Sequence, residues 1–294
     1  MRITVVGAGA FGTALAIAWS RDHAVTLVSR DPGRVRAAPA FPLPPGVGVA
    51  GEVEDADVVA YATPAQTFAD VVARHPPRRA TGLICAKGID AGTGRLLPQL
   101  HAFPVLSGPG FAAEIARGLP TALTLAGDDG GRLAEGLSGP LRLYASADPL
   151  GAAAGGALKN VAALAVGMAR GLELGSSAEA ALTTRASAEL ARLVVALGGR
   201  AETFQGLSGL GDLILTCSSP QSRNFSHGER IARGERGDGR LVEGVHTAAI
   251  AARLAERHGV EAPIVSAVAA IVAGDLTPRD AVDALLARPL RRET

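Results

Sequence analysis

The chain has 294 residues, of which 48% are hydrophobic, and a formal net charge of +1 at pH 7. That length suggests two domains around a sizeable packed core. The near-neutral balance, with arginines dispersed rather than clustered, excludes the electrostatic footprint of a nucleic-acid or anionic-membrane binder and leaves small molecules as the expected partners.

The first 20 residues imitate a secretory leader, with Arg2 ahead of an apolar run, but glycines interrupt the run at spacings with a purpose of their own. Arg2 to Val6 reads as a short β-branched strand, and it meets Gly7-Ala8-Gly9-Ala10-Phe11-Gly12 before Thr13 to Ser20, which has helical composition. In a strand, glycine turn, helix arrangement Gly7 permits the tight turn, Gly9 lets a pyrophosphate approach the backbone, and Gly12 allows the helix to pack closely on the strand, with phosphate at the helix N-terminus. Ala24 to Ser29 supplies the second strand one βαβ unit later. The chain therefore opens on a dinucleotide site.

Where NAD-specific sites place an acidic residue to hold the ribose 2′-hydroxyl, this chain has Ser29, Arg30 and then Asp31. Arg30 favours a 2′-phosphate, which points to NADP(H), with NAD(H) as the alternative if Asp31 accepts from the ribose. Further parallel strands are expected at Asp57 to Ala62, Gly82 to Ala86, Pro104 to Leu106, Ala122 to Ala126 and Leu141 to Ala145, alternating with helices. This predicts an α/β N-terminal domain over residues 1–147, a Rossmann-type doubly wound parallel sheet. Ligands collect outside the carboxyl ends of such strands. Thr63-Pro64, Lys87 and the segment from Ser107 to Ala112 all follow predicted strands, and the glycines of that segment either present amides to a ligand or simply make a turn. Cys85 and Cys217 form neither a metal-ligand pattern nor a disulfide framework, and both are expected as small core residues.

Asp148-Pro149 marks the expected domain boundary, since aspartate is a good N-cap and proline suits the first helical position. An all-α domain over residues 148–294 is predicted, with helices from Pro149 to Leu172, Ala178 to Leu197, Ser222 to Arg233, Glu243 to His258, Pro263 to Ala273 and Pro278 to Ala287. The stretch from Gly151 to Ala169 is apolar enough to imitate a membrane span, but Lys159-Asn160 at its middle would cost a few kcal/mol in hydrocarbon, so it reads as a buried helix. Asp212 and Thr216 are four apart and share a helix face that could steady a buried ammonium. Ser218 to Asn224 brings a hydroxyl, a guanidinium fork and an amide to a helix start, a combination suited to phosphate.

Only two of the 29 basic residues are lysine, Lys87 and Lys159. Arginine stays protonated at any working pH, whereas a lysine can be brought to neutrality by its surroundings, which a general base requires. An arginine bias with two chance survivors is the competing explanation.

Taken together, GAGAFG at 7–12, AKGI at 86–89, LSGPGFAAE at 106–114, GALKNVAALAVG at 156–167, GLSGLGDLILTC at 206–217, SRN at 222–224 and VEG at 242–244 resemble the bacterial NAD(P)-dependent glycerol-3-phosphate dehydrogenase family over nearly the whole chain. The resemblance implies a cytoplasmic homodimer that interconverts dihydroxyacetone phosphate and sn-glycerol 3-phosphate for phospholipid synthesis, without a metal. It implies Lys159 as proton acceptor and Lys87 in touch with substrate and nicotinamide, supported by Asp212 and Thr216. It further implies Gly108, Gly110, Asn160, Asp212, Ser222, Arg223 and Asn224 around the substrate. Gly7, Gly9, Ala10, Phe11, Gly12, Arg30, Lys87, Ala112, Arg223 and Glu243 would line the cofactor path.

The chain departs from that family's common pattern at Ala10-Phe11, where serine and tryptophan are usual, at Gly110, where serine is usual, and near Ser177, where asparagine is usual. The segment from Ala38 to Val49 is shorter and richer in proline, and the stretch before Glu243 looks trimmed. Two other readings compete: a dehydrogenase of the same two-domain build acting on a hydroxy acid or ketopantoate-like substrate, and a catalytically silent nucleotide sensor. A sensor has no need of Lys159.

Overall fold

The computed structural model describes residues 1–235 and 242–289, so most of the trimmed stretch before Glu243 lies outside the described residues. The chain divides into two compact units, the first made of residues 1–156 and 197–212 and the second of residues 157–196 and 213–294.

In the first unit, β1 (Arg2–Val6), α1 (Ala10–Trp19), β2 (Ala24–Val28), α2 (Pro32–Ala37), β3 (Val47–Ala50), β4 (Val58–Tyr61) and α3 (Phe68–Arg74) follow in chain order. After them come β5 (Thr81–Ile84), α4 (Leu97–Leu100), β6 (Val105–Ser107), α5 (Ala112–Arg117), β7 (Thr121–Ala126), α6 (Gly130–Leu137) and β8 (Leu141–Ser146). The strands form one sheet in the order β3-β2-β1-β4-β5-β6-β7-β8. Strand order reverses between β1 and β4, which run parallel with Ile3 opposite Val58, and that reversal is where a doubly wound sheet opens a crevice at its carboxyl edge.

All four residues of β4 are buried, as are Ile3 to Val6 of β1, because helices cover both faces of the sheet. On one side Val5, Leu15, Trp19, Leu27, Leu106 and Ile115 pack together. On the other, Tyr61, Phe68, Val72, Ile84 and Leu97 do so. Cys85 belongs to the first of these clusters, where burial pushes its thiol up, and Cys217 is buried as well.

Two strand expectations need correction. The sheet is not wholly parallel, since β6 and β7 pair antiparallel, Leu106 against Leu125. The six helical residues of α5 span only about 9 Å, and after Gly118 the chain enters β7 in the reverse direction. β3 begins within the proline-rich segment from Ala38 to Val49, where no strand is expected. It is a four-residue edge strand with only Val47 buried, too short and too exposed for an apolar pattern to reveal it.

The remaining elements are α7 (Pro149–Gly171), α8 (Ser176–Ala196), α9 (Ala201–Gln205), α10 (Asp212–Cys217), α11 (Arg223–Ala232), α12 (Glu243–Arg257), α13 (Pro263–Ala273) and α14 (Pro278–Leu286). Asp148 does cap α7: one carboxylate oxygen accepts from the Gly151 amide at 2.8 Å and the other from the Arg200 amide at 2.8 Å. The second of these bonds ties the returning segment 197–212 to the first unit, so the compact units part within α7, after Gly156, rather than at its cap. α7 is long and apolar enough to cross a membrane by composition alone, yet it is buried throughout from Gly151 to Ala169, as a core helix is.

Within the second unit, α7 and α11 cross backbone against backbone. A Cβ on Gly167 would lie 2.0 Å from the Phe225 carbonyl oxygen, and one on Gly228 would lie 2.2 Å from that of Leu164. Any larger residue at either position would force the helices apart.

Glu189 of α8 is 4% exposed and caps α13, accepting from the amides of Ile264 at 3.0 Å and Val265 at 3.2 Å. Burial raises its pKa above the ordinary glutamate range, against the opposing pull of those amides and of Arg192 and Arg288. Because the folded carboxyl holds its proton more tightly than the unfolded one, its stabilising contribution is complete at low pH and is lost as pH rises through the folded-state pKa. Glu189→Gln should therefore gain stability relative to wild type as pH rises from about 5 to about 8. Thermal melts of both proteins across that range check this, and a pH-independent difference between them would refute it.

Candidate active site

The first unit supplies the glycine turn. Gly7 has φ +113°, and a Cβ there would sit 2.6 Å from the Ala62 carbonyl oxygen, while one on Gly12 would sit 2.0 Å from the Gly7 carbonyl oxygen. Both positions are closed to any side chain. A Cβ on Gly9, by contrast, would meet nothing within 4 Å. The turn is thus tightly packed below and open above, at the N-terminus of α1, which is the cradle a pyrophosphate requires. Ala10 is exposed on this side and Phe11 is half-buried.

At the end of β2, Asp31 is engaged: its carboxylate accepts from the Arg34 amide at 2.9 Å and caps α2. Arg30 beside it is exposed.

Lys87 follows β5 and is half-buried. Its ammonium donates to Asp212 Oδ2 at 2.6 Å and to the Gly108 carbonyl at 3.0 Å. Asp212 is 1% exposed and opens α10 directly after a π-type turn over Leu207–Gly211. A carboxylate so buried needs a cation, and Lys87 provides it. Gly110 lies against Ile115 and Thr121, whose side chains would stand 3.0 and 3.1 Å from a Cβ, so a serine at this position would have to displace them. Ala112, the first residue of α5, is half-buried.

Two groups in this unit were singled out by sequence only as parts of turns. Ser107 Oγ and Thr63 Oγ1 are buried with no hydrogen-bond partner among the described residues. Their signal was position alone, each standing at or just after the carboxyl end of a strand.

The second unit holds the other lysine. Lys159, 8% exposed in mid-α7, donates to Thr216 Oγ1 at 2.7 Å. Its neighbour Asn160 accepts through Oδ1 from Asn224 Nδ2 at 2.9 Å, and Asn224 Oδ1 accepts from the Gly244 amide at 2.9 Å. These two amides clasp α7, α11 and the first turn of α12, where Glu243 is half-buried. Ser222 caps α11, accepting from the Phe225 amide at 3.2 Å. Arg223 is exposed, and with Ser226, Arg230 and Arg233 it lines a basic cavity of about 370 Å³. A larger cavity of about 610 Å³ beside α12, α13 and α14 contains none of the expected site residues.

Removing the carboxylate of Asp212 leaves the Lys87 ammonium short of its counter-charge. Asp212→Asn should destabilise the protein toward the low end of the ~3–5 kcal/mol typical of a broken buried pair, since Lys87 keeps some solvent contact. Chemical denaturation of variant and wild type measures this, and a cost near zero would show that the pair does not hold the segment.

Residues 2–131 match the family model described as NAD-dependent glycerol-3-phosphate dehydrogenase N-terminus, and residues 148–283 match that of its C-terminus. A glycerol-3-phosphate dehydrogenase (NAD(P)+) of Agrobacterium fabrum is 49% identical, with 99% of each chain covered. One of Chelativorans sp. is 48% identical over 99% of this chain and 98% of that one. Among solved structures, glycerol-3-phosphate dehydrogenase from Coxiella burnetii superposes with a TM-score of 0.91 at 34% identity, covering 98% of this chain and 99% of that one. A ketopantoate reductase from Ralstonia eutropha reaches a TM-score of 0.61 at 17% identity, covering 94% of this chain and 98% of that one, a likeness of fold alone that gives the ketopantoate-type alternative no support.

Proposed function

The chain belongs to the NAD-dependent glycerol-3-phosphate dehydrogenase family, and we propose that it is an NAD(P)-dependent oxidoreductase that interconverts dihydroxyacetone phosphate and sn-glycerol 3-phosphate. The observation that carries this reading is that the chain's two lysines, the groups best suited to proton work, both stand in the family's motifs and are both held by hydrogen bonds, Lys87 by Asp212 and Lys159 by Thr216. When bound, the nicotinamide supplies or takes the hydride at C2 of the substrate.

The protein's own groups do the rest. Lys159 delivers the proton to the C2 oxygen in the reductive direction and removes it in the oxidative one, with Thr216 fixing the direction of its ammonium. Lys87 donates to the substrate, aimed by Asp212 and by the Gly108 carbonyl. Arg223, with its planar fork of donors, binds the substrate phosphate at the Ser222-capped start of α11. The Asn160–Asn224 clasp sets the spacing between Lys159 and that helix start. Gly110 contributes backbone only, since it has no hydroxyl to offer. Gly9, Ala10, Phe11, Ala112 and Glu243 would hold the nucleotide when it is bound.

NADP(H) is the preferred nucleotide in this reading, because Asp31 is committed to capping α2 while Arg30 stands exposed to meet a 2′-phosphate. The protein works in the cytoplasm as a homodimer and feeds glycerophospholipid synthesis.

Purified protein given dihydroxyacetone phosphate and either reduced nucleotide should consume the nucleotide's absorbance at 340 nm, and no consumption with either one would overturn the assignment. Lys159→Ala should fold and bind NADPH yet lose at least about a hundredfold in turnover, the lower bound for a positioned acid–base group. Turnover near wild type would remove Lys159 from the chemistry. Arg30→Ala should shift the NADPH over NADH preference by roughly ten- to a hundredfold toward NADH, the equivalent of ~1.5–3 kcal/mol for a hydrogen bond to a charged group. Competing kinetics with the two nucleotides decide it, and an unmoved ratio would place the 2′-phosphate elsewhere.

A further inference from the structure

The ammonium of Lys87 has a third neighbour besides its two oxygens. Its nitrogen stands 5.8 Å from the centroid of the Phe11 ring, within the ~6 Å over which a cation is drawn to an aromatic face. Phe11, Lys87, Gly108 and Asp212 all belong to the first unit. An ammonium carries three N–H donors. Asp212 and the Gly108 carbonyl take two of them, and the ring stands on a further side, so the remaining donor has few directions open to it. Phe11 is also the second residue of α1. Its backbone belongs to the glycine turn that cradles the nucleotide, whereas its ring belongs to the lysine.

We propose that Phe11 is a positioning residue for the substrate: its ring holds the Lys87 ammonium so that the third donor meets the phosphorylated ketone, and substrate affinity is thereby tied to the geometry of the nucleotide-binding turn. This rests on the reading above in which Lys87 touches the substrate. The competing account is that Phe11 only fills space, since its ring also packs against the core on that side of the sheet. The two separate cleanly, because filling depends on the ring's shape and the cage depends on its charge distribution.

Fluorine on the ring weakens its negative face while changing its size little. With 3,4,5-trifluorophenylalanine incorporated at position 11 alone, the KM for dihydroxyacetone phosphate should rise about two- to tenfold, the range of a cation–π contact, while the dissociation constant for NADPH changes less than about twofold, because the turn meets the nucleotide through its amides. Phe11→Leu should raise that KM at least as much, and Phe11→Trp, with the stronger ring, should restore it. An unchanged KM in the fluorinated protein overturns the proposal, as does an equal loss of NADPH affinity, which would assign the ring to the nucleotide.

A second readout does not depend on turnover. Because the chain has two lysines, ε-13C-lysine labelling gives one signal for each, and the Lys87 ε-protons should lie upfield under the ring current and move downfield in Phe11→Leu. Wild type that shows this shift but reduces no dihydroxyacetone phosphate would sink the functional reading while leaving the contact standing. Wild type without the shift would sink the inference whatever the enzyme reduces.

Discussion

A primary ammonium withdrawn from water must find oxygen, and this requirement shapes the parts of the chain that matter most. Lys87 leaves the sheet at the carboxyl end of β5 and is met by a carbonyl from the segment after β6 and by a carboxylate that opens α10. Lys159 stands in the middle of a helix made almost wholly of alanine, glycine, valine and leucine, and α10 again supplies the acceptor, one turn after Asp212. The segment from Gly206 to Cys217 therefore has two tasks. Its glycines shape the π-type turn, and its two polar side chains, four residues apart, each receive one amine.

Small residues determine how accurately the helical part of this arrangement is held. Gly167 lies eight residues beyond Lys159 on α7, and Gly228 lies four beyond Asn224 on α11. Both stand where the two helix backbones touch. An error at that crossing would reach the site over only one or two turns, and the 2.9 Å hydrogen bond between Asn160 and Asn224 has no slack to absorb it. The same logic governs the glycine turn of the first unit, where Gly7 and Gly12 are closed to side chains by neighbouring carbonyl oxygens. In both places the close approach of backbone to backbone depends on a residue without a side chain.

How much of this the sequence discloses follows from the range of the forces involved. The alternation of strand and helix, the glycine turn, and the long helices with their proline and aspartate starts are local patterns, and α7 and α13 begin where Pro149 and Pro263 announce them. β3 and the antiparallel turn into β7 escape because a four-residue edge strand has almost no pattern of its own, and because strand direction is decided by where a connection packs rather than by composition. At the site, residue identities are readable from the motifs but their partners are not. Nothing in the chain order couples Lys87 to Asp212, 125 residues away. Nor does it say that Asp31 is occupied in a cap, that Asn224 is clasped on both sides, or that Phe11 turns its ring toward a lysine.

Burial, rather than count, is what weighs between chemistry and coding bias for the two lysines. Among the described residues no arginine is buried, whereas Lys159 is, and Lys87 is half-buried against a carboxylate that is itself 1% exposed. An arginine bias acting on surface positions would leave survivors on the surface. A guanidinium could not take either place unchanged: it is planar, it needs room for five donors, and it keeps its proton at any pH at which the protein is folded. A compact tetrahedral ammonium fits a carbonyl on one side, a carboxylate on another and a ring on a third, as Lys87 does, and it alone of the two basic groups can exchange a proton with an alcohol, as the role proposed for Lys159 demands.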